Sequence, residues 1–117
     1  MPTCIEIAVF EVEKSNLKRV LAVSEVLFSE INAENKNIIA HEILVKTALA
    51  KDNLKDSSAD SSAEGLQEVC WHLTWANAEA VQASKSRWSS YPSSAEIERL
   101  VGRKLYYGHF VGVIANQ

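Results

Sequence analysis

The sequence predicts an α+β fold, a four-stranded antiparallel sheet with two helices packed on one of its faces. Three observations predict it. Four stretches, "TCIEIAVFEVE", "NIIAHEILVKTALA", "LQEVCWHLTW" and "KLYYGHFVGVI", are rich in β-branched and aromatic residues and alternate in character. Two stretches of helical periodicity follow the first and third of them. The resulting order is β-α-β-β-α-β, the split βαβ arrangement.

The first strand is expected over residues 3–13, with Ile5, Ile7 and Val9 on one face and Cys4, Glu6, Ala8, Phe10 and Val12 on the other. "KSNLKRVLAVSEVLFSEIN" follows with Leu17, Val20, Leu21, Ser24, Leu27, Phe28 and Ile31 at helical spacing, and Ser15 is a candidate N-cap. "NAENKN" ends that helix with turn-forming residues. The second strand, about 38–48, puts Ile39, His41, Ile43 and Val45 on one face and Ala40, Glu42, Leu44 and Lys46 on the other. The stretch 51–64, short of large apolar residues, reads as a long flexible hairpin loop. The third strand, 66–75, divides most clearly: Val69, Trp71, Leu73 and Trp75 form an apolar face, while Glu68, Cys70, His72 and Thr74 all carry heteroatoms. Asn77 caps the second helix, whose stripe is Ala80, Val81, Ser84 and Trp88. Pro92 interrupts it, a capping box from Ser93 to Glu96 restarts it, and Gly102 ends it. The fourth strand is expected over 104–114.

The 117 residues suit one domain spanning 1–117, with 47% hydrophobic and 23% charged residues, as in ordinary globular chains. A net charge of −3 argues against nucleic-acid and anionic membrane partners, which demand a basic stripe. No apolar run has the length of a membrane span or signal-peptide core, so the expected localisation is cytoplasmic. Cys4 and Cys70 form no CxxC pair and read as reduced, half-buried thiols.

This order is that of a ferredoxin-like domain. A right-handed crossover would place the first and third strands side by side at the centre, read here as parallel to each other. Ile5, Ile7, Val9 and the apolar face of the third strand would then lie under the helices. The opposite face would carry Cys4, Glu6, Ala8, Phe10, Val12, Glu42, Leu44, Cys70, His72, Tyr106, Gly108 and Phe110. That mixture is too apolar for water and too polar for a dry core. A second copy packed face to face, a homodimer enclosing a partly hydrated cavity, accounts for it.

The chain resembles the dimeric α/β-barrel superfamily, which includes the antibiotic-biosynthesis-monooxygenase-like and stress-responsive barrel proteins. The likeness spans 3–114 and rests on element order, length and the passage "VCWHLTWANAEAVQASKSRW". The resemblance implies an eight-stranded barrel made by two subunits, with a pocket in each subunit. It implies activities ranging from cofactor-free oxygenation of aromatic polyketides, haem breakdown and lactone isomerisation to no catalysis at all. Haem-degrading members use an Asn on the first strand, a Trp on the third and a His on the second helix. Here Glu6 holds the polar position on the first strand and the second helix has no His, which disfavours haem degradation.

The expected catalytic pair is Glu6 and His72, neighbours on adjacent strands, the carboxylate raising the pKa of an imidazole base. Proton abstraction from a phenol or activated carbonyl compound would serve an oxygenase or an isomerase. A structural ion pair at the dimer seam is the competing account. Phe10, Cys70, Tyr106, His109 and Phe110 are candidate substrate-binding residues, His109 joining only if a bulge at Gly108 shifts the strand. The E-x-C-x-H spacing of Glu68, Cys70 and His72 could be read as metal ligands. Alternate residues on a strand lie about 6.5–7 Å apart, however, wide for one ion, so no metal and no cofactor is expected. A cofactor-independent monooxygenase or isomerase with a small apolar or aromatic ligand is the leading expectation. A non-catalytic dimeric ligand-binding or interaction module is the alternative.

Overall fold

The strand that organises the molecule is apolar on both sides. In the computed structural model, which describes residues 2–47 and 65–113, β1 (Cys4–Glu13) buries Cys4, Ala8, Phe10 and Val12 and leaves Ile5, Ile7 and Val9 half-buried. Such a strand suits a central position, and β1 has neighbours on both edges. It pairs with β3 (Leu66–Trp75) and with β4 (Lys104–Val111), while β2 (Ile38–Val45) pairs with the far edge of β3. The order is β2-β3-β1-β4 and every pairing is antiparallel. The molecule is thus an α+β, ferredoxin-like sheet, as the element order predicts. The expectation that β1 and β3 run parallel is corrected. The chain reverses between β2 and β3, so the crossover makes β1 parallel to β2, with β3 between them. The loop expected over 51–64 lies outside the described residues.

The face assignment of β3 holds: Val69, Trp71, Leu73 and Trp75 are all buried beneath the helices. The assignment of β1 is inverted. Directly opposed residues of an antiparallel pair share a face, and Glu6 opposes Leu73, Ala8 opposes Trp71 and Phe10 opposes Val69. Hence Cys4, Glu6, Ala8, Phe10 and Val12 point toward the helices. Ile5, Ile7 and Val9 point to the open face, opposite Thr74, His72 and Cys70. Both edge strands carry one extra residue, Ile39 in β2 and Leu105 in β4. In β2 the bulge lets Ile38 be buried while Ile39 stays exposed.

Helix α1 (Leu17–Ile31) buries Val20, Val23, Ser24, Leu27, Phe28 and Ile31, a stripe at helical spacing laid on the sheet. It is entered through a 3₁₀ turn, Lys14–Asn16, and neither Ser15 nor Asn16 caps it. Helix α2 (Ala78–Ser86) is capped as expected, the Asn77 side chain accepting from the Ala80 amide at 2.8 Å. Helix α3 (Ser94–Leu100) follows a 3₁₀ turn, Trp88–Ser90. Its capping box does not form, because partners on α1 take both members. The Ser93 amide and hydroxyl donate to Glu30 at 2.9 and 2.7 Å, and Arg19 Nε donates to Glu96 at 2.6 Å. At the exit of α3 the Gly102 amide donates to the Glu11 carbonyl at 2.7 Å. A Cβ there would stand 3.1 Å from that oxygen, which is why the smallest residue fits this approach.

Phe10 and Phe28 meet the Trp71 ring edge-on, at centroid distances of 5.4 and 5.0 Å. The indole nitrogen of Trp71 donates to Ser24 Oγ at 3.1 Å, and that hydroxyl donates to the Val20 carbonyl at 2.7 Å. Ser24→Ala removes the acceptor and strands a buried indole N–H. Urea denaturation is expected to show a loss of about 1–3 kcal/mol, and an unchanged midpoint would mean that the indole finds another acceptor.

Candidate functional site

Between the sheet and the three helices lies a cavity of about 440 Å³, the size of a small-molecule site. Its walls are chiefly apolar and aromatic: Phe10, Trp71, Leu73, Val81, Trp88 and Ile97 among others. Two carboxylate and two lysine side chains line it: Glu6 from β1, Lys85 from α2, Glu98 from α3 and Lys104 from β4. The last three are exposed and stand where the cavity meets solvent, whereas Glu6 is only 5% exposed.

A buried carboxylate needs donors. Trp75 Nε1 donates to Glu6 Oε1 at 3.1 Å, and His109 Nε2 stands 3.3 Å from the same oxygen. Among the described residues Glu6 Oε2 accepts no hydrogen bond, and Glu6 lines the cavity. Burial raises the Glu6 pKa above the ordinary carboxylate value. The charge and hydrogen bond of His109, the bond from Trp75 and the charge of Lys85 oppose that rise without cancelling it. The result is a stronger base than a surface glutamate, itself almost wholly shielded from solvent.

Tyr107 lies beside this group, edge-on to the His109 ring at 5.0 Å and beneath Lys85 Nζ, 5.4 Å from its centroid. Burial and the Glu6 charge push the Tyr107 hydroxyl up to about 12, so it stays protonated at neutral pH.

The expected pair of Glu6 and His72 does not meet. Glu6 opposes Leu73 under the helices, while His72 opposes Ile7 and Glu42 on the open face. The imidazole beside Glu6 is that of His109, which opposes it on β4. No bulge at Gly108 brings it there. β4 presents Tyr106, Gly108 and Phe110 to the open face as expected, and it is the inverted phase of β1 that turns Glu6 toward His109. Phe10 borders the cavity, but as a core residue 4% exposed. Tyr106 borders the cavity at the bulge, and its hydroxyl would lie 2.7 Å from a Cβ at Gly108, so its ring crosses that glycine. Cys70 and Phe110 lie on the open face, opposite Val9 and Ile5. Burial pushes the Cys70 thiol up, which suppresses the reactive thiolate. Among the described residues no group of three or more His, Cys, Asp or Glu side chains is placed to hold a metal ion. No helix among them is long and apolar enough to cross a membrane.

Sequence reasoning missed Lys85 and the role of Trp75. The signal for Lys85 was present: Val81, Ser84, Lys85 and Trp88 lie at i, i+3, i+4 and i+7, one face of a helix.

No protein-family model and no curated protein matches the sequence. Solved structures match along nearly the whole chain. A proposed antibiotic biosynthesis monooxygenase from Chloroflexus aurantiacus is 15% identical with a TM-score of 0.57, covering 95% of this chain and 93% of its own. A mutant of SnoaB, a cofactor-independent oxygenase from Streptomyces nogalater, is 13% identical with a TM-score of 0.54, covering 98% and 95%. A dimeric ferredoxin-like protein from an uncultured marine organism is 13% identical with a TM-score of 0.60, covering 97% and 90%. The fold is therefore the one shared by antibiotic-biosynthesis-monooxygenase-like and dimeric ferredoxin-like proteins.

Proposed function

We propose that the chain forms a homodimer through its open sheet face and binds a small apolar or aromatic molecule between sheet and helices, where Glu6, paired with His109, acts as general base. The reaction class is cofactor-independent monooxygenation or isomerisation. The observation that carries this reading is a buried carboxylate with a raised pKa, one oxygen of which accepts no hydrogen bond among the described residues, on the lining of an otherwise largely apolar cavity of about 440 Å³. Proton transfer from a phenolic O–H or an acidified C–H to Glu6 leaves the electron pair on the ligand, and the resulting anion is the species that dioxygen or a rearrangement consumes. Trp75 and His109 fix the carboxylate, and the aromatic walls exclude water. The oxygenase named among the similar structures supports the reaction class.

The test is dioxygen uptake, and absorbance change under argon for isomerisation, with a panel of polycyclic phenols and β-dicarbonyl compounds and no added metal or flavin. Turnover that vanishes in Glu6→Gln is the expected result. Saturable binding of the panel without turnover would leave a non-catalytic ligand-binding module instead.

A further inference from the structure

The two cations at the cavity mouth are not equivalent. Lys104 Nζ stands 3.3 Å from Glu98 Oε1, so its charge is met by a neighbour that lines the same mouth. Among the described residues Lys85 forms no ion pair. Its ammonium stands over the Tyr107 ring at 5.4 Å, an attraction modest at an exposed site. Lys85 sits on α2 above the sheet and Glu6 on β1 within it, and both line the cavity. A ligand filling the cavity therefore meets a base on the floor and an uncompensated cation at the rim.

On the reading that this cavity is the ligand site, we propose that its ligand is acidic as well as aromatic, carrying an ionisable hydroxyl or an anionic oxygen, and that Lys85 binds that oxygen. Three features fit together under this assignment. A ligand oxyanion at Lys85 supplies the contact ion pair that Lys104 already has with Glu98. The ammonium favours the ionised ligand, so it lowers the cost of the proton transfer to Glu6; the proton ends on the carboxylate and the electron pair on the ligand oxygen. The charge of Lys85 also acts on Glu6 itself, which places the two groups within electrostatic reach across the cavity. A neutral hydrocarbon would use the apolar walls alone and gain nothing from Lys85.

The experiment compares two fluorescent probes with one aromatic body, 1-anilinonaphthalene-8-sulfonate and the uncharged N-phenyl-1-naphthylamine. Each is titrated into the full-length wild type and the Lys85→Gln, Lys85→Arg and Lys104→Gln variants. Expected is a preference for the sulfonate of about tenfold in the wild type, the scale of one charge-assisted hydrogen bond. Lys85→Gln should abolish it with the neutral probe unaffected, Lys85→Arg should keep it, and Lys104→Gln should leave it unchanged. A preference that survives in Lys85→Gln, or falls equally in Lys104→Gln, overturns the assignment, as does equal binding of both probes by the wild type. Failure of both probes to bind the wild type would instead remove the cavity as a ligand site, and this proposal with it.

Discussion

Glu6→Gln is expected to lower turnover by about 10²–10⁴-fold, the range ascribed to a positioned general base, while the protein stays folded. The amide keeps an oxygen to accept from Trp75 Nε1, so the indole N–H is not stranded, but it takes up no proton at any working pH. The same variant carries a signature in stability. The Glu6 pKa is raised in the folded chain, chiefly by burial. Its contribution is fully present below the pH at which an unfolded glutamate titrates. It is lost as pH rises through the raised folded value, because the unfolded chain ionises more easily. Urea denaturation from pH 4 to 8 should therefore show the wild type losing stability relative to Glu6→Gln as pH rises. Parallel curves would mean that Glu6 titrates as in water, and an unchanged turnover rate would take the base out of the mechanism.

Ile7→Asp is expected to dissociate the proposed homodimer. Ile7 sits at the middle of the open face, with His72 on one side and Gly108 on the other. Around it Leu44 and Phe110 remain 44% and 48% exposed in the isolated chain. A two-fold interface meets each substitution twice, and a carboxylate stripped of water without a partner costs several kcal/mol. Even about 3 kcal/mol over the two copies weakens association roughly 100-fold. Sedimentation velocity at micromolar concentration should show wild-type dimers and Ile7→Asp monomers with unchanged circular dichroism. Val26→Asp, on an exposed position of α1, should remain dimeric. A dimer that withstands Ile7→Asp must be assembled through another surface. Phe10, on the same strand, is the wrong target, since it is packed against Trp71 in the core.

The difference between those two residues shows what was legible in the sequence. Alternation discriminates faces only where one face is polar. On β3 every inward residue from Val69 to Trp75 is apolar and every outward one from Glu68 to Thr74 carries a heteroatom, so its orientation can be read directly. On β1 both faces are rich in apolar residues, and the charge of Glu6 favours the wrong one. Its true setting depends on Trp75 and His109, partners 69 and 103 positions away. Capping divides in the same way. Asn77 satisfies an amide three residues ahead and follows the local rule. Ser93 obeys Glu30, 63 positions earlier, which no local rule contains. The element order survives these errors because it depends only on periodicity and length, whereas the site depends on register.

The central placement of β1 also orders events in time. Its hydrogen-bonding partners are β3 and β4, so Cys4 waits for both Trp75 and Val111 before its strand is enclosed. During synthesis β1 leaves the ribosome long before either edge is covered, and early folding is confined to local pieces such as α1. Wide sequence separation of paired strands slows folding, and an uncovered strand with Ile, Val and Phe on its two faces is a template for intermolecular pairing. Glu6, Glu11 and Glu13 are spaced along that strand. Before they serve any site, their charges repel a second nascent copy of the same segment.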